Sequence, residues 1–270
     1  MGVGPCAAPV EETMVTLSWI ELEGASNARD LGGLPAAGGR TRPGVLVRAD
    51  ALDRLTDADV AELAHRRGLA HVVDLRTDGE RAERGRGLLE ASGVRYSELS
   101  VITDEHLTSR QLERARRLEA GGDAAQIMAD GYVELLELGA PAFVEALRRI
   151  VAPDGAPALV HCSAGKDRTG VLVALLLGAA GVHRSTIVVD YAATHERMEA
   201  IVAALSGAQF FQDVATQVPV FFFGARAETM EAFLDELDRD FGGAAGWFAA
   251  HGVLDDELAA WRDVLVEPAA

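Results

Sequence analysis

Positive charge is scarce in this 270-residue chain: 25 Lys and Arg stand against 42 Asp and Glu, a formal net charge of −17. A surface so acidic excludes nucleic acid and anionic membranes as principal partners, because each must be met by an excess of cations. An anionic ligand remains allowed if a few concentrated cationic groups draw it in against the protein's own field. Cysteine is nearly absent as well. Cys6 and Cys162 cannot build a disulfide framework or, alone, a thiolate zinc site. Long apolar runs are missing: the longest, residues 171–182, is broken by Gly178 and Gly181 and falls short of the ~20 residues a membrane span requires. No basic stretch followed by an apolar one opens the chain, so no secretory signal is visible. A cytoplasmic, reduced protein is expected, with a leaderless route of export left open. The histidines show no metal-ligand spacing, and neither metal nor cofactor is expected.

What is present is ordinary globular composition, 49% hydrophobic and 25% charged, which excludes wholesale disorder. At roughly 150 residues per domain, one large α/β domain over 15–270 is preferred, preceded by a loose Gly/Pro/Ala tail over 1–14. Short β-type pieces over 15–22 and 45–48 flank a Gly-rich hairpin or loop region at 31–39. Thr56 reads as an N-cap with Asp57 and Asp59 in the first turn, Gly68 ends that helix, and an apolar strand follows over 69–75. Helices are predicted over 104–120, 124–138 and 142–150, with the last two separated at Gly139 and Pro141. A short buried strand is predicted at 158–161 and an apolar helix from Thr169 to about Ala180. A single helix capped by Ser185 is predicted to reach Leu205, and two amphipathic helices, 227–241 and 255–266, surround a loop containing Trp247. Helix, glycine and apolar strand in alternation are the grammar of an α/β fold, with a parallel-containing central sheet flanked by helices.

The chemistry is concentrated in residues 161–170, His-Cys-Ser-Ala-Gly-Lys-Asp-Arg-Thr-Gly, between the buried strand and the apolar helix. A short loop containing Gly165 can turn its backbone N–H groups inward, and the helix adds its own free N–H groups and the positive end of its dipole. Such a cradle suits a tetrahedral dianion. Arg168 can place a planar two-pronged donor on two phosphate oxygens. Cys162 lies in the same positive field, which favours thiolate over thiol. A free cysteine titrates near ~8.5, and lowering that by ~3 units takes about 4 kcal/mol, which oriented N–H groups, a helix terminus and an arginine can together supply. An inert buried cysteine is the bland alternative, and the joint spacing of Cys, Gly and Arg argues against it.

This segment resembles the phosphate-binding loop of cysteine-dependent tyrosine and dual-specificity phosphatases, and its Gly-Lys-Asp-Arg-Thr-Gly version is similar to the bacterial tyrosine/serine phosphatases of the mycobacterial protein tyrosine phosphatase B type. The resemblance extends to residues 27–33 (Asn-Ala-Arg-Asp-Leu-Gly-Gly), 47–52 (Val-Arg-Ala-Asp-Ala-Leu, where the family more often has Arg-Ser), 73–80 (Val-Asp-Leu-Arg-Thr-Asp-Gly-Glu) and Asp190-Tyr191, so most of 24–266 is covered. It implies a cysteine-phosphatase fold with additional helices over the active site. Cys162 would be the nucleophile and Arg168 the phosphate clamp, with Ser163, Ala164, Gly165, Lys166, Asp167 and Thr169 around the phosphate. Thr169 would stabilise the departing thiolate. His161 would orient the loop and help lower the cysteine pKa, although a merely satisfied strand-end histidine fits as well. Lys166 adds a charge that in this family accompanies tolerance of further phosphates, including phosphoinositides; a solvated loop lysine is the alternative.

Cleavage also needs an acid, since an alkoxide or phenolate leaves poorly without a proton. Asp74, at the end of its strand, looks like the family's general acid, with Asp167 and Asp30 as competitors. Arg76 and Glu80 are expected to form a structural ion pair. The aromatic cluster at 218–223 and the helices after it would cover the active-site entrance or simply pack in the core. Arg110, Arg114, Arg116 and Arg117 read more readily as a solvated helix face than as an attractor of acidic substrates, and Cys6 as incidental rather than a redox partner of Cys162. A monomeric protein tyrosine phosphatase, with phosphorylated protein or peptide as its partner and dual Ser/Thr specificity allowed, is the expected function. A phosphoinositide phosphatase and a catalytically inactive phosphate-sensing module are the rivals.

Overall fold

The computed structural model describes residues 15–208 and 224–269. A six-stranded sheet runs in the order β1 (Ser18–Trp19), β2 (Arg29–Asp30), β5 (Leu46–Ala49), β8 (Ala158–His161), β6 (His71–Asp74) and β7 (Arg95–Glu98). The last four strands are parallel, and β1 and β2 are antiparallel additions at one edge. A smaller sheet joins β3 (Pro35–Ala36), β4 (Gly39–Thr41) and β9 (Val266–Pro268). Side chains of the parallel strands alternate between two apolar layers: Leu46, Val73 and Val160 enter one, Val47, Val72 and Leu159 the other. Burial on both faces explains why β6 and β8 read as apolar runs. The expected α/β architecture, a central sheet flanked by helices, is thus present.

The local signals act as their chemistry dictates. Thr56 caps α1 (Asp57–Val60) in a capping box with Asp59, and the chain continues through a wider π-helical turn, Ala61–Arg66, to Gly68. Thr77 and Glu80 form a second capping box at α2 (Asp78–Arg84), which sequence inspection did not assign as a helix. Three helices follow: α3 (Asp104–Glu119), α4 (Ala124–Leu138) and α5 (Ala140–Val151). The apolar segment becomes α6 (Asp167–Ala179), buried on nearly every side.

Two expectations are corrected. The single helix over 185–205 is three pieces: α7 (Arg184–Ala193), a 3₁₀ turn at Thr194–Arg197, and α8 (Met198–Leu205). Its N-cap is His183, not Ser185. The break occurs because Arg29 takes the Asp190 carbonyl at 2.8 Å and the Thr194 hydroxyl at 3.0 Å, withdrawing that carbonyl from the helical ladder. The expected loop around Trp247 is a helix, α10 (Ala244–Ala250), between α9 (Ala227–Phe241) and α11 (Asp255–Leu265). Its small residues permit a close approach to α6: a Cβ on Gly178 would come within 2.9 Å of the Ala244 Cβ. Trp247 is thereby fully buried against Phe143 and Phe248. The tail over 1–14 with Cys6, and the aromatic cluster at 218–223, lie outside the described residues.

Candidate active site

β8 lies between β5 and β6, and its last residue, His161, is level with Ala49 on one side and Asp74 on the other. The C-terminal ends of three parallel strands therefore meet where the loop 162–166 turns into α6, the usual position for a ligand in an open α/β sheet. Cys162 is a free, buried thiol at the start of that loop.

The loop's carbonyls are all drawn away from its concave side. The Ala51 N–H donates to the Ser163 carbonyl at 3.1 Å. Asn27 Nδ2 donates to the carbonyls of Ala164 (3.2 Å) and Gly165 (3.1 Å), and Arg48 Nη2 donates to Gly165 at 2.6 Å. The His161 ring nitrogen Nδ1 bonds the Cys162 carbonyl at 3.1 Å. The N–H groups of Ser163, Ala164 and Gly165 have no acceptor among the described residues, so the loop presents donors to whatever occupies its cradle. Gly165 makes this shape feasible. Its φ is +65°, and a Cβ there would fall 2.3 Å from the Ala49 carbonyl oxygen.

Behind the cradle sits a buried ionic hub. Asp190 accepts from Arg29 Nε at 2.7 Å and Arg48 Nη1 at 2.5 Å, and all three side chains are essentially inaccessible. Burial pushes the Asp190 carboxyl up, but Arg29 and Arg48 outweigh it and hold it below the usual carboxylate range. Asn27 Oδ1 accepts from Arg29 Nη1 at 2.6 Å, so the same hub orients the amide that holds the loop. Asp50 accepts the Ser26 and Asn27 N–H groups at 3.0 and 2.9 Å, and burial raises its carboxyl to about 6. Asp190→Ala strands two buried guanidinium groups, so a loss of about 3–5 kcal/mol is expected. Urea unfolding of the variant checks this, and a change below about 1 kcal/mol, the level of a surface pair, would contradict the hub's role.

Arg168 is held end-on. Its Nη1 and Nη2 donate to the two Glu80 carboxylate oxygens at 2.5 and 2.8 Å, which keeps the Nε–Nη2 edge for an anion. Burial pushes Glu80 up, but Arg168 overcomes this and brings it down to about 2. Ser163 Oγ and the Thr77 N–H also donate to Glu80, at 2.6 and 2.7 Å. The expected Arg76–Glu80 ion pair is therefore absent: Glu80 serves Arg168, and Arg76 serves Asp74. Thr169 Oγ1 is buried and without a partner among the described residues.

The two candidate acids stand in different surroundings. Asp74 is fully buried, gripped by Arg76 through Nε (3.0 Å) and Nη2 (2.7 Å), with His161 Nε2 at 3.7 Å. Burial pushes its carboxyl up, but His161 and Arg76 hold it well below the usual range. Its oxygens are engaged by Arg76 and closed off from solvent, unlike those of Asp167. His161 is itself drawn down by burial, with Asp74 acting the other way. Its Nδ1 orients the Cys162 carbonyl. Asp167, in the first turn of α6, has a side chain 34% exposed with Lys166 Nζ 3.3 Å away. The Tyr132 hydroxyl donates to it at 2.7 Å and is itself 2.6 Å from the Tyr191 hydroxyl. Burial raises the Asp167 carboxyl, while Lys166, Tyr132 and Arg114 lower it, with a net shift downward. Lys166 is buried rather than a solvated loop lysine, with its Nζ also 3.4 Å from the Gly224 carbonyl. Asp30, the remaining competitor, spends its carboxylate on the Gly32 and Gly44 N–H groups at 2.9 and 2.7 Å.

Sequence reading missed the roles of Asn27, Arg48, Glu80, Tyr132 and Asp190. All but Tyr132 fall in segments that carried the family resemblance. Tyr132 gave only the weak signal of belonging to a set of three tyrosines.

A cysteine at the floor of an amide cradle, beside an arginine fixed by a buried carboxylate, marks the class of cysteine-dependent phosphoester hydrolases. The family model described as the tyrosine phosphatase family matches residues 20–267, and the chain belongs to that family. It is 31% identical over 275 residues to the triple specificity protein phosphatase PtpB of Mycobacterium tuberculosis, covering 91% of this chain and 98% of the relative. A tyrosine-protein phosphatase of Nostoc commune is 31% identical over 217 residues, covering 78% and 71% of the two chains. The solved core catalytic domain of the PP-IP phosphatase SIW14 from S. cerevisiae, in complex with citrate, covers 64% of this chain and 80% of its own. At 15% identity and a TM-score of 0.34, that overlap is too slight to carry weight.

Proposed function

We propose that this protein-tyrosine phosphatase works through a phosphocysteine at Cys162 and acts on phosphotyrosyl proteins, with phosphoseryl and phosphothreonyl groups as secondary substrates. The observation that supports this most directly is the outward tethering of every loop carbonyl from Cys162 to Gly165 around the buried thiol. In the first step the Cys162 sulfur forms a bond to phosphorus as the ester P–O bond breaks. The loop N–H groups from Ser163 to Asp167 and the Arg168 guanidinium stabilise the equatorial oxygens. Asp167 gives its proton to the leaving oxygen. In the second step water forms the new P–O bond, the S–P bond breaks, Asp167 takes the water's proton, and the Thr169 hydroxyl steadies the departing thiolate. A bound phosphate dianion beside Asp167 raises its carboxyl, which lets a group held low in the resting site carry a proton in the complex.

Rapid acid quenching during turnover of a phosphotyrosine peptide, followed by mass spectrometry, should find phosphate on Cys162. Steady turnover with no such adduct would remove the covalent mechanism. A second reading, phosphoinositide hydrolysis, is favoured by Lys166 buried beside the cradle and opposed by the net charge of −17. A soluble phosphoinositide assayed beside phosphotyrosine and phosphoserine peptides ranks the two. We further place the protein in the cytoplasm as a monomer with one catalytic domain over 15–270. Among the described residues, no helix is long and apolar enough to cross a membrane.

A further inference from the structure

α3 and α4 face each other through a ladder of arginines. Arg110, Arg114 and Arg117 recur at helical spacing on α3. Arg110 pairs with Glu134 of α4, and Arg117 with Asp130 at 2.5 Å. Between these rungs Arg114 meets no acid but Gly131. A Cβ there would lie 2.0 Å from the Arg114 Nη2 and 2.6 Å from its Nε, so the guanidinium lies directly on the α4 backbone. Among the described residues no carboxylate comes within ion-pair distance of Arg114. The carboxylate whose charge it feels most is Asp167, which receives the hydroxyl of Tyr132, the residue next to Gly131, at 2.7 Å. A half-buried cation without a counter-charge of its own among the described residues thus lies on α4 one residue from Tyr132, whose hydroxyl meets Asp167 at the edge of the cradle.

We propose that Arg114 is a specificity-determining residue that receives a carboxylate flanking the phosphorylated residue of a peptide substrate. The proposal rests on the phosphatase reading above. Asp167 already has Tyr132 and Lys166 as partners, so the Arg114 charge is not required to hold it. A single peptide carboxylate fits where an anionic bilayer does not, because a chain of net charge −17 repels an extended negative surface far more than one side chain.

The test compares two phosphotyrosine peptides, one with glutamates flanking the phosphotyrosine and one with alanines. Binding is measured on the Cys162→Ser background and kcat/KM on the active enzyme. The readout is the acidic-to-neutral ratio, which a purely structural role would leave unmoved. A ratio of about five or more is expected with Arg114, falling to about one in Arg114→Gln and partly restored in Arg114→Lys. Added salt should shrink the ratio only where the cation is present. A ratio near one with Arg114 intact, or one unchanged in Arg114→Gln, overturns the proposal. So does an Arg114→Gln loss of binding seen with phosphoinositide-bearing vesicles but with neither peptide, which assigns the cation to lipid. Failure of the active enzyme to turn over either peptide would sink the phosphatase reading instead, while the binding ratio still decides the role of Arg114.

Discussion

Cys162→Ser is expected to lower kcat by about 10⁴- to 10⁶-fold on every phosphoester the protein hydrolyses, while phosphopeptide binding persists. The asymmetry follows from where the binding groups come from. The cradle is backbone, its carbonyls tied by Asn27, Arg48, Ala51 and His161, and its arginine is fixed by Glu80. None of these contacts involves the sulfur. A serine hydroxyl in the same place stays protonated at neutral pH and is a far weaker nucleophile than a thiolate. Stopped assays with an aryl phosphate and anisotropy with a phosphotyrosine peptide separate the two quantities. Turnover within tenfold of the wild type would put the nucleophile elsewhere. Loss of binding together with turnover would mean that the loop had collapsed around the new hydroxyl.

The second large effect concerns the acid. Asp167→Asn should reduce kcat on alkyl phosphates, whose leaving groups need a proton most, by about 10²- to 10⁴-fold. Activated aryl phosphates should be affected much less. A general acid contributes only while protonated, so its contribution disappears as pH rises through its pKa in the substrate complex, and the variant should lose that alkaline limb for alkyl substrates. Asp74→Asn should behave differently. Its carboxylate balances Arg76 and lies near His161 in a closed site, so substitution leaves a buried guanidinium short of its partner. That variant should be less stable, with the shape of its pH–rate profile retained. If instead Asp74→Asn removes the alkaline limb and Asp167→Asn keeps it, the assignment reverses.

The cradle itself was legible in the sequence because its logic is local. Cys162, Gly165 and Arg168 lie within seven consecutive residues between a strand and a helix, and the distances that matter are set by one turn of backbone. The supporting groups were not legible, because they act across the fold. Asn27 reaches Gly165 over 138 positions, Arg48 reaches Asp190 over 142, and Arg168 reaches Glu80 over 88. Which of several charged residues pair is decided by strand order, and strand order is not a property of any segment. Asp74 shows the complementary case. An aspartate closing an apolar strand has the right address for catalysis, but Arg76 two positions on shares its face of the chain. That Asp-x-Arg spacing was the local hint that its carboxylate was already taken. The broken helix at Thr194 has the same origin: no propensity in 185–205 announces the break, because Arg29, far upstream, takes the carbonyl.

Lys166, buried beside Asp167 at the edge of the cradle, is also the chain's one lysine; every other side chain of that charge type is arginine. Amine-selective chemistry therefore has a single side-chain address in this protein. Acylating or reductively alkylating reagents, which on most proteins scatter over the surface, can report here only on a terminal amine or on the cradle loop. The labelling rate at residue 166 becomes a gauge of how open the site is, and protection by inorganic phosphate a direct measure of its occupancy.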